Sequence, residues 1–259
     1  MLDSLFVAAS GMHAQQMQID TIANNLANVN TSGFKKNRVD FEDLMYRDIT
    51  NSRHLLGEVD ASKRVGAGTA ISSSEKIFTQ GNSKKTDRAL DVAIQGGGFF
   101  EVSLPDGSYG YTRTGSFRVN SEGMIVNADG HMLNPLIQVP NDAEHVSISV
   151  DGTVSVSLPN DTRVMQIGRI DLANFMNVSG LNPVGNNLYI PTNQSGDAIY
   201  SSPGENGVGT LEQGYLESSN VSLVEELTNL MMAQRAYEIN SKVAQASDEL
   251  LGLVNNMRR

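Results

Sequence analysis

Residues 1–30, MLDSLFVAASGMHAQQMQIDTIANNLANVN, carry the reading on which the rest of the chain depends. Leu5, Met12, Ile19 and Leu26 recur at a spacing of seven, Ala9, Ile22 and Ala23 fill the intervening positions, and no charge interrupts the stripe. That pattern predicts a long amphipathic helix built to supercoil. The last forty residues answer it: Ala236, Val243, Leu250 and Met257 repeat every seven, beside a second row of Leu223, Leu230, Tyr237, Ala244 and Leu251. Two heptad helices are therefore expected, one at each end of the sequence.

The first helix is expected to start at Asp3 or Ser4, either of which can cap the amides of Leu5 and Phe6. Asn24, Asn25 and Asn28 follow within it, at a propensity cost of a few tenths of a kcal/mol each. Two readings stand open. Either Asn28 or Asn30 begins the stop that Thr31-Ser32-Gly33 completes, or the amides hydrogen-bond to neighbouring helices and set their register. At the other end Ser222 and Glu225 have the spacing of a capping box, with Val221 placed to staple against the stem of Glu226 or against Leu227. Asn240 falls in the stripe between Ala236 and Val243, either as a register device or as a solvent-facing residue, and Arg258 and Arg259 suit the negative end of the helix dipole. Burying some seven apolar side chains yields about 10–20 kcal/mol, whereas ordering about 27 residues of backbone costs about 1–2 kcal/mol each. Both ends are thus expected to be mobile in a monomer and ordered when several copies pack.

Between the helices the heptads vanish. Residues 35–85 read as a connector or extended arm in which Phe41, Leu44, Met45 and Ile49 form a short helical turn or part of the arm. From 86 to 217 the grammar is that of short strands and tight turns. Pro105-Asp106-Gly107, Ser121-Glu122-Gly123, Ala128-Asp129-Gly130 and Asp151-Gly152 separate runs at Phe99–Val102, Tyr109–Arg113, Phe117–Val119, Met124–Val126, Val146–Val150 and Val154–Leu158. The fold class expected is mixed α and β: long N- and C-terminal coiled-coil-type helices flanking a mostly antiparallel β domain. The segments are 1–34 (N-terminal assembly helix), 35–85, 86–217 (β domain) and 218–259 (C-terminal assembly helix).

A net charge of −10 argues against nucleic acid or an anionic membrane surface as the main partner. With no cysteine, thiolate chemistry and cysteine zinc sites are excluded. His13, His54, His131 and His145 lack metal-ligand spacing, Gly96-Gly97-Gly98 has no phosphate-loop Lys after it, and no serine occupies a nucleophile elbow. No catalytic residue, cofactor or metal is expected. The N-terminus lacks the basic and apolar regions of a cleavable signal, so any export is expected to use another route.

Four stretches resemble the bacterial flagellar rod and hook family: Ile22 through Lys36 (IANNLANVNTSGFKK), Asp91 through Phe100 (DVAIQGGGFF), Tyr111 through Phe117 (YTRTGSF), and Ser219-Asn220-Val221 together with Gln234 through Lys242 (QRAYEINSK). The likeness covers essentially the whole chain. Its length, the lack of an inserted outer domain, and Phe41-Glu42-Asp43-Leu44 beside Gln234-Arg235-Ala236-Tyr237 look most like the distal rod members; the hook members carry extra domains. The resemblance implies a self-assembling structural subunit of the flagellar basal body, a rigid helical tube that transmits torque from motor to hook across the periplasm. It implies export through the flagellar apparatus, other rod proteins and the hook protein as axial neighbours, and a ring bushing around the rod. Another rod protein of the family, or a secreted β-domain binding module, is the alternative, and an enzyme is the weakest reading. The expected self-assembly interface comprises Leu5, Met12, Ile19, Asn24, Asn25, Leu26, Asn28, Leu227, Leu230, Tyr237, Asn240, Val243, Leu250 and Met257. Residues 46–68 either wedge neighbouring subunits to keep the tube straight or form an ordinary surface loop.

Overall fold

The computed structural model describes residues 2–48, 64–159 and 161–257, which group into two compact units. One unit gathers residues 1–27, 37–76 and 222–259, and the other gathers 28–36 and 77–221. The chain is mixed α and β, with a helix near each end and antiparallel sheets between.

In the first unit, α1 spans Leu2–Ala27 and α2 spans Leu223–Met257. Helix α1 begins one residue earlier than the capping signal implied. Asp3 therefore lies within the first turn, where its charge suits the positive helix end, and the Ser4 hydroxyl is 3.2 Å from that of Ser247 rather than capping its own helix. At α2, the carbonyl of Ser222 accepts the amide of Glu226, the bond that opens the helical ladder. Arg258 and Arg259 lie outside the described residues.

The same unit holds paired strands where the sequence left a helical turn or an extended arm open. Strand β1 (Asn37–Asp43) precedes β2 (Tyr46–Asp48), and β3 (Arg64–Gly66) precedes β4 (Thr69–Lys76). β1 pairs antiparallel with β4 through a register shift between Asp40 and Phe41, and β2 pairs with β3. Phe41 is thus a strand residue. The arm lies along α1, where the Ser10 hydroxyl accepts the amide of Thr69 and a Cβ on Gly68, at φ +110°, would fall 2.3 Å from Ser10 Oγ. Of the stretch 46–68, residues 49–63, Ile49 included, lie outside the described residues.

The second unit is β throughout. Among the described residues its strand pairings are antiparallel, both in the hairpins, whose turns of two to five residues require it, and between strands distant in sequence such as Thr210–Gln213 with Val92–Gln95. Its largest sheet has seven strands, running from Asn182–Gly185 through Phe100–Ser103 to Arg118–Val119, and a three-stranded sheet follows over His145–Ile148, Thr153–Leu158 and Asp161–Arg169. The turns fall where Asp-Gly and Glu-Gly marked them: Gly107, Gly123, Gly130 and Gly152 all have positive φ. Two cores form. Val92, Ile94, Phe100, Phe117, Leu133, Val154, Val156 and Leu172 belong to one, and Phe99, Tyr111, Phe175 and Tyr189 to the other, with Phe99 and Tyr189 both edge-on to Phe78. The β domain expected from the strand grammar is thus one seven-stranded sheet and several smaller ones among the described residues, around two apolar centres.

Candidate assembly surface

Helices α1 and α2 run antiparallel. Ser4 meets Ser247, Gly11 meets Asn240 and Asn25 meets Glu226, so steps of seven and fourteen along one helix are matched in reverse along the other. The residues that turn inward on α2 are Glu226, Leu230, Ala233, Tyr237, Asn240, Ala244, Ser247 and Leu251, which alternate at spacings of four and three. Those on α1 are Ser4, Ala8, Gly11, Gln15, Gln18, Ile22 and Asn25. The seam is mostly small or polar. A Cβ on Gly11 would fall 2.8 Å from Asn240 Nδ2, so the glycine makes room for the amide and lets the helices approach.

Within the chain, then, α2 meets α1 through members of its second row, Leu230, Tyr237, Ala244 and Leu251, and not through the first rows of the two helices. Leu5, Met12, Ile19 and Leu26 are half-buried beside the seam, while Val243, Leu250 and Met257 are exposed by 44%, 53% and 86%. Leu227 is exposed, Leu230 half-buried, and Tyr237 is at the margin at 38%. Asn240 is the half-buried seam residue facing Gly11, which resolves its two readings towards a place between helices. Asn24 is exposed on α1, and Asn28 opens the turn after the helix, its carbonyl accepting the Thr31 amide.

Asn25 is the buried polar centre of the pair, at 2% exposure. Its Nδ2 donates to the carbonyl of Asn37 at 2.9 Å while the Asn37 amide donates to its Oδ1 at 2.8 Å, a two-bond clasp like that of a neighbouring strand. The same Nδ2 lies 3.3 Å from Oε2 of the buried Glu226. The asparagines of this stretch thus divide their work: Asn25 ties α1 to β1 and to α2, and Asn28 begins the stop. Asn25→Ala leaves both a strand end and a buried carboxylate without their partner. It is expected to cost about 1–3 kcal/mol, read as an earlier loss of helical circular dichroism on heating; an unchanged melting curve would contradict this role.

In the second unit the segment after α1 is held by a buried ionic cluster that spacing arguments did not single out. Lys35, fully buried, donates from Nζ to Glu217 Oε1 at 2.6 Å and to the carbonyl of Thr79 at 2.7 Å. The amide of Gly81 donates to the same carboxylate at 2.8 Å, and Arg113 Nη1 lies 3.7 Å from Glu217 Oε2. Burial holds both Lys35 and Arg113 below their ordinary pKa ranges, and Glu217 opposes that shift in each. Next to them, Asn220 accepts the Lys36 amide and donates to the Ile77 carbonyl, and Gly33, at φ +71°, donates its amide to the carbonyl of Glu217. Lys35, Arg113 and Asn220 all lie within the stretches quoted above for their family resemblance.

These helices and strands coincide with three family descriptions. Residues 5–35 match "Flagella basal body rod protein", residues 93–156 match "Flagellar hook protein FlgE/F/G D1 domain", and residues 212–257 match "Flagellar basal body rod FlgEFG protein C-terminal". Over the full length of both chains, the sequence is 45% identical to the flagellar basal-body rod protein FlgG of Borreliella burgdorferi. The chain belongs to the flagellar basal-body rod protein family. It is 39% identical to the FlgG rod protein of Bacillus subtilis over all of both chains, and 42% identical to that of Caulobacter vibrioides over 99% of this chain and all of the other. As a rod protein it is a structural component of the flagellar basal body. The rod-family matches at the two ends take in most of α1 and all of α2, so nearly all of the seam and the rows beside it lie where the family is recognised. Among the described residues of this rod protein, no helix is long and apolar enough to cross a membrane.

Proposed function

We propose that this rod protein is the distal-rod subunit, and that its copies assemble through their terminal helices into a rigid helical tube that transmits torque from motor to hook across the periplasm. The observation that carries the reading is the exposed apolar surface of α2. Ile239, Val243, Leu250, Leu253 and Met257 stand in solvent on a helix whose intramolecular seam is filled by small and polar residues. A contiguous apolar stripe of that length marks an interaction surface, and its heptad spacing suits a coiled-coil-type contact with another helix. Full-length likeness to FlgG rod proteins supports the reading as a rod subunit. The self-assembly interface is then the set Leu5, Met12, Ile19, Asn24, Leu26, Asn28, Leu227, Val243, Leu250 and Met257, with the seam residues Asn25, Leu230, Tyr237 and Asn240 holding the pair in shape. Segments 1–34 and 218–259 serve as assembly helices, 35–85 as an arm and 86–217 as the outer β domain.

Other rod proteins and the hook protein are the axial neighbours in this reading, a ring bushing surrounds the rod, and the chain reaches its place through the flagellar export apparatus without a cleavable signal. The role is mechanical rather than catalytic, and the stretch 46–68 wedges neighbouring subunits so that the tube stays straight. Val243→Glu combined with Leu250→Glu tests the interface. Each change removes about 1.5–3 kcal/mol of apolar burial per contact, so the concentration needed for sedimenting polymer is expected to rise at least about a hundredfold, with helical circular dichroism unchanged. Polymer forming at the same concentration as the unsubstituted chain would sink the proposal.

A further inference from the structure

Many of the exposed apolar residues of α2 share one row, with Leu223, Val224, Leu227 and Met231 outside it. Met232, Ala236, Ile239, Val243, Ala246, Leu250, Leu253 and Met257 alternate at spacings of four and three, a second heptad row with no charged member. Ile239, Leu250 and Leu253 are exposed by 60%, 53% and 59%. The row stands one residue back from the seam: Ile239 precedes Asn240, Ala246 precedes Ser247 and Leu250 precedes Leu251. Helix α1 carries its own second row, Leu5, Ala9, Met12, Gln16, Ile19, Ala23 and Leu26, also uncharged. This one stands one residue forward of the seam, as Leu5 follows Ser4, Met12 follows Gly11 and Leu26 follows Asn25.

One residue turns a helix by about 100°. In an antiparallel pair, a forward step on either helix turns towards the same face of the pair, and a backward step turns towards the other. The forward row of α1 and the backward row of α2 therefore lie on opposite faces. Among the ionic side chains of α2, Arg235, Lys242 and Glu249 turn away from both rows, whereas Glu238 and Asp248 stand one residue forward of the seam, on the α1 side, and Glu225 one residue back of it at the start of the helix; Arg235 and Glu238 pair at 3.3 Å. Each pair of helices thus has two apolar faces of the same repeat, one from each helix.

Resting on the self-assembly reading above, we infer that the partner of the α2 row is the α1 row of the next copy. Each subunit offers its α1 face to one neighbour and its α2 face to the other. The two rows share one repeat and each sets alanines among larger apolar residues, Ala9 and Ala23 on α1 and Ala236 and Ala246 on α2, leaving gaps that side chains of the other can enter. A contact between different faces of identical subunits is heterologous and does not close on itself in a two-fold. An α2-to-α2 contact would close, and would leave the α1 row uncovered. Copies placed side by side in one orientation also present α1 to the neighbouring α2 in the antiparallel sense already used within the chain.

Because the chain has no cysteine, single thiols introduced on each row report their neighbours directly. The variants are Ala9→Cys and Ala23→Cys on α1, and Ala236→Cys and Ala246→Cys on α2, all of the full-length chain. Each α1 variant is mixed with each α2 variant, polymerised, and treated with a short bismaleimide. The expected result is a dominant covalent dimer holding one chain of each kind in at least one mixture, and a ladder of covalent multimers from a chain carrying both changes. Polymer that yields α2-to-α2 dimers from Ala236→Cys or Ala246→Cys alone, with no mixed product, overturns the pairing while leaving self-assembly standing. If the unsubstituted chain fails to sediment as polymer at any concentration, the self-assembly reading falls and the pairing falls with it.

Discussion

Glu217→Gln is expected to destabilise the β unit by about 3–5 kcal/mol, the cost of leaving buried charge without its counter-ion. The carboxylate is 2% exposed and faces two buried cations, with Lys35 Nζ at 2.6 Å and Arg113 Nη1 at 3.7 Å. Arg113 keeps only partial compensation elsewhere, donating from Nη2 to the Gly96 carbonyl at 2.8 Å and lying 5.3 Å from the Phe99 ring centroid. An amide in place of the carboxylate conserves shape but not charge, so Lys35 and Arg113 would repel each other in a medium of low dielectric. The pH dependence carries a sign. Burial already lowers the Lys35 pKa and Glu217 raises it, so removing Glu217 lowers it further. The unfolded chain then binds this proton more tightly than the folded one, and stability rises with pH from the lowered folded value up to the ordinary lysine range near about 10.4. Denaturant unfolding at neutral and mildly alkaline pH should show the deficit shrinking as pH rises. Lys35→Met added to Glu217→Gln should recover part of the loss by removing one of the stranded cations. A deficit below about 1 kcal/mol, the range of exposed ion pairs, would show that the cluster does not anchor this segment.

Gly115→Ala should be at least as damaging, for a steric rather than an electrostatic reason. A Cβ at that position would lie 1.7 Å from the carbonyl oxygen of Val92 and 3.2 Å from the Phe100 ring. Neither neighbour can yield cheaply. Val92 and Phe100 are fully buried in the main core, and the Val92 amide donates to the Gly115 carbonyl at 2.9 Å, so the clash is with paired backbone. Relief requires separating the two segments and breaking that bond, at an expected cost of more than about 3 kcal/mol. Gly107→Ala supplies the contrast. Nothing lies within 4 Å of its Cβ position, but its φ of +83° is one that L side chains avoid, so a cost of about 1–2 kcal/mol is expected. Thermal unfolding of the two variants should show the larger fall for Gly115→Ala, and equal falls would overturn the packing argument.

Much of the second unit was legible because turn chemistry is local. Asp106-Gly107, Glu122-Gly123, Asp129-Gly130 and Asp151-Gly152 demand positive φ at the glycine, and each stands between paired strands. The helices were legible for a similar reason, since a repeat of seven without charge has few other uses. The buried ions were not. Lys35 sits beside Lys36, and nothing in composition says that the first is fully buried while the second is half-exposed. Glu217 lies 182 residues away in sequence from its partner Lys35, a separation across which no periodicity operates. Asn25 was flagged by its cost in a helix, but its partner, the backbone of Asn37, belongs to a strand and offers no side-chain signal.

The sequence alone determined that α1 and α2 exist, that each carries an uncharged heptad row, and that the chain resembles a family of rod and hook proteins. Periodicity along one chain suffices for that, because side-chain placement on a helix follows from its pitch. Only the tertiary structure decided which row faces inward. Ser4 against Ser247, Gly11 against Asn240 and Asn25 against Glu226 place the small and polar row in the seam and leave Ile239, Val243, Leu250 and Leu253 outside. The physical reason is that α2 holds two heptad rows, offset by one residue, and either could have met α1. The choice rests on close approach at Gly11 and on hydrogen bonds that a buried asparagine and glutamate must find, and both are properties of the packed pair.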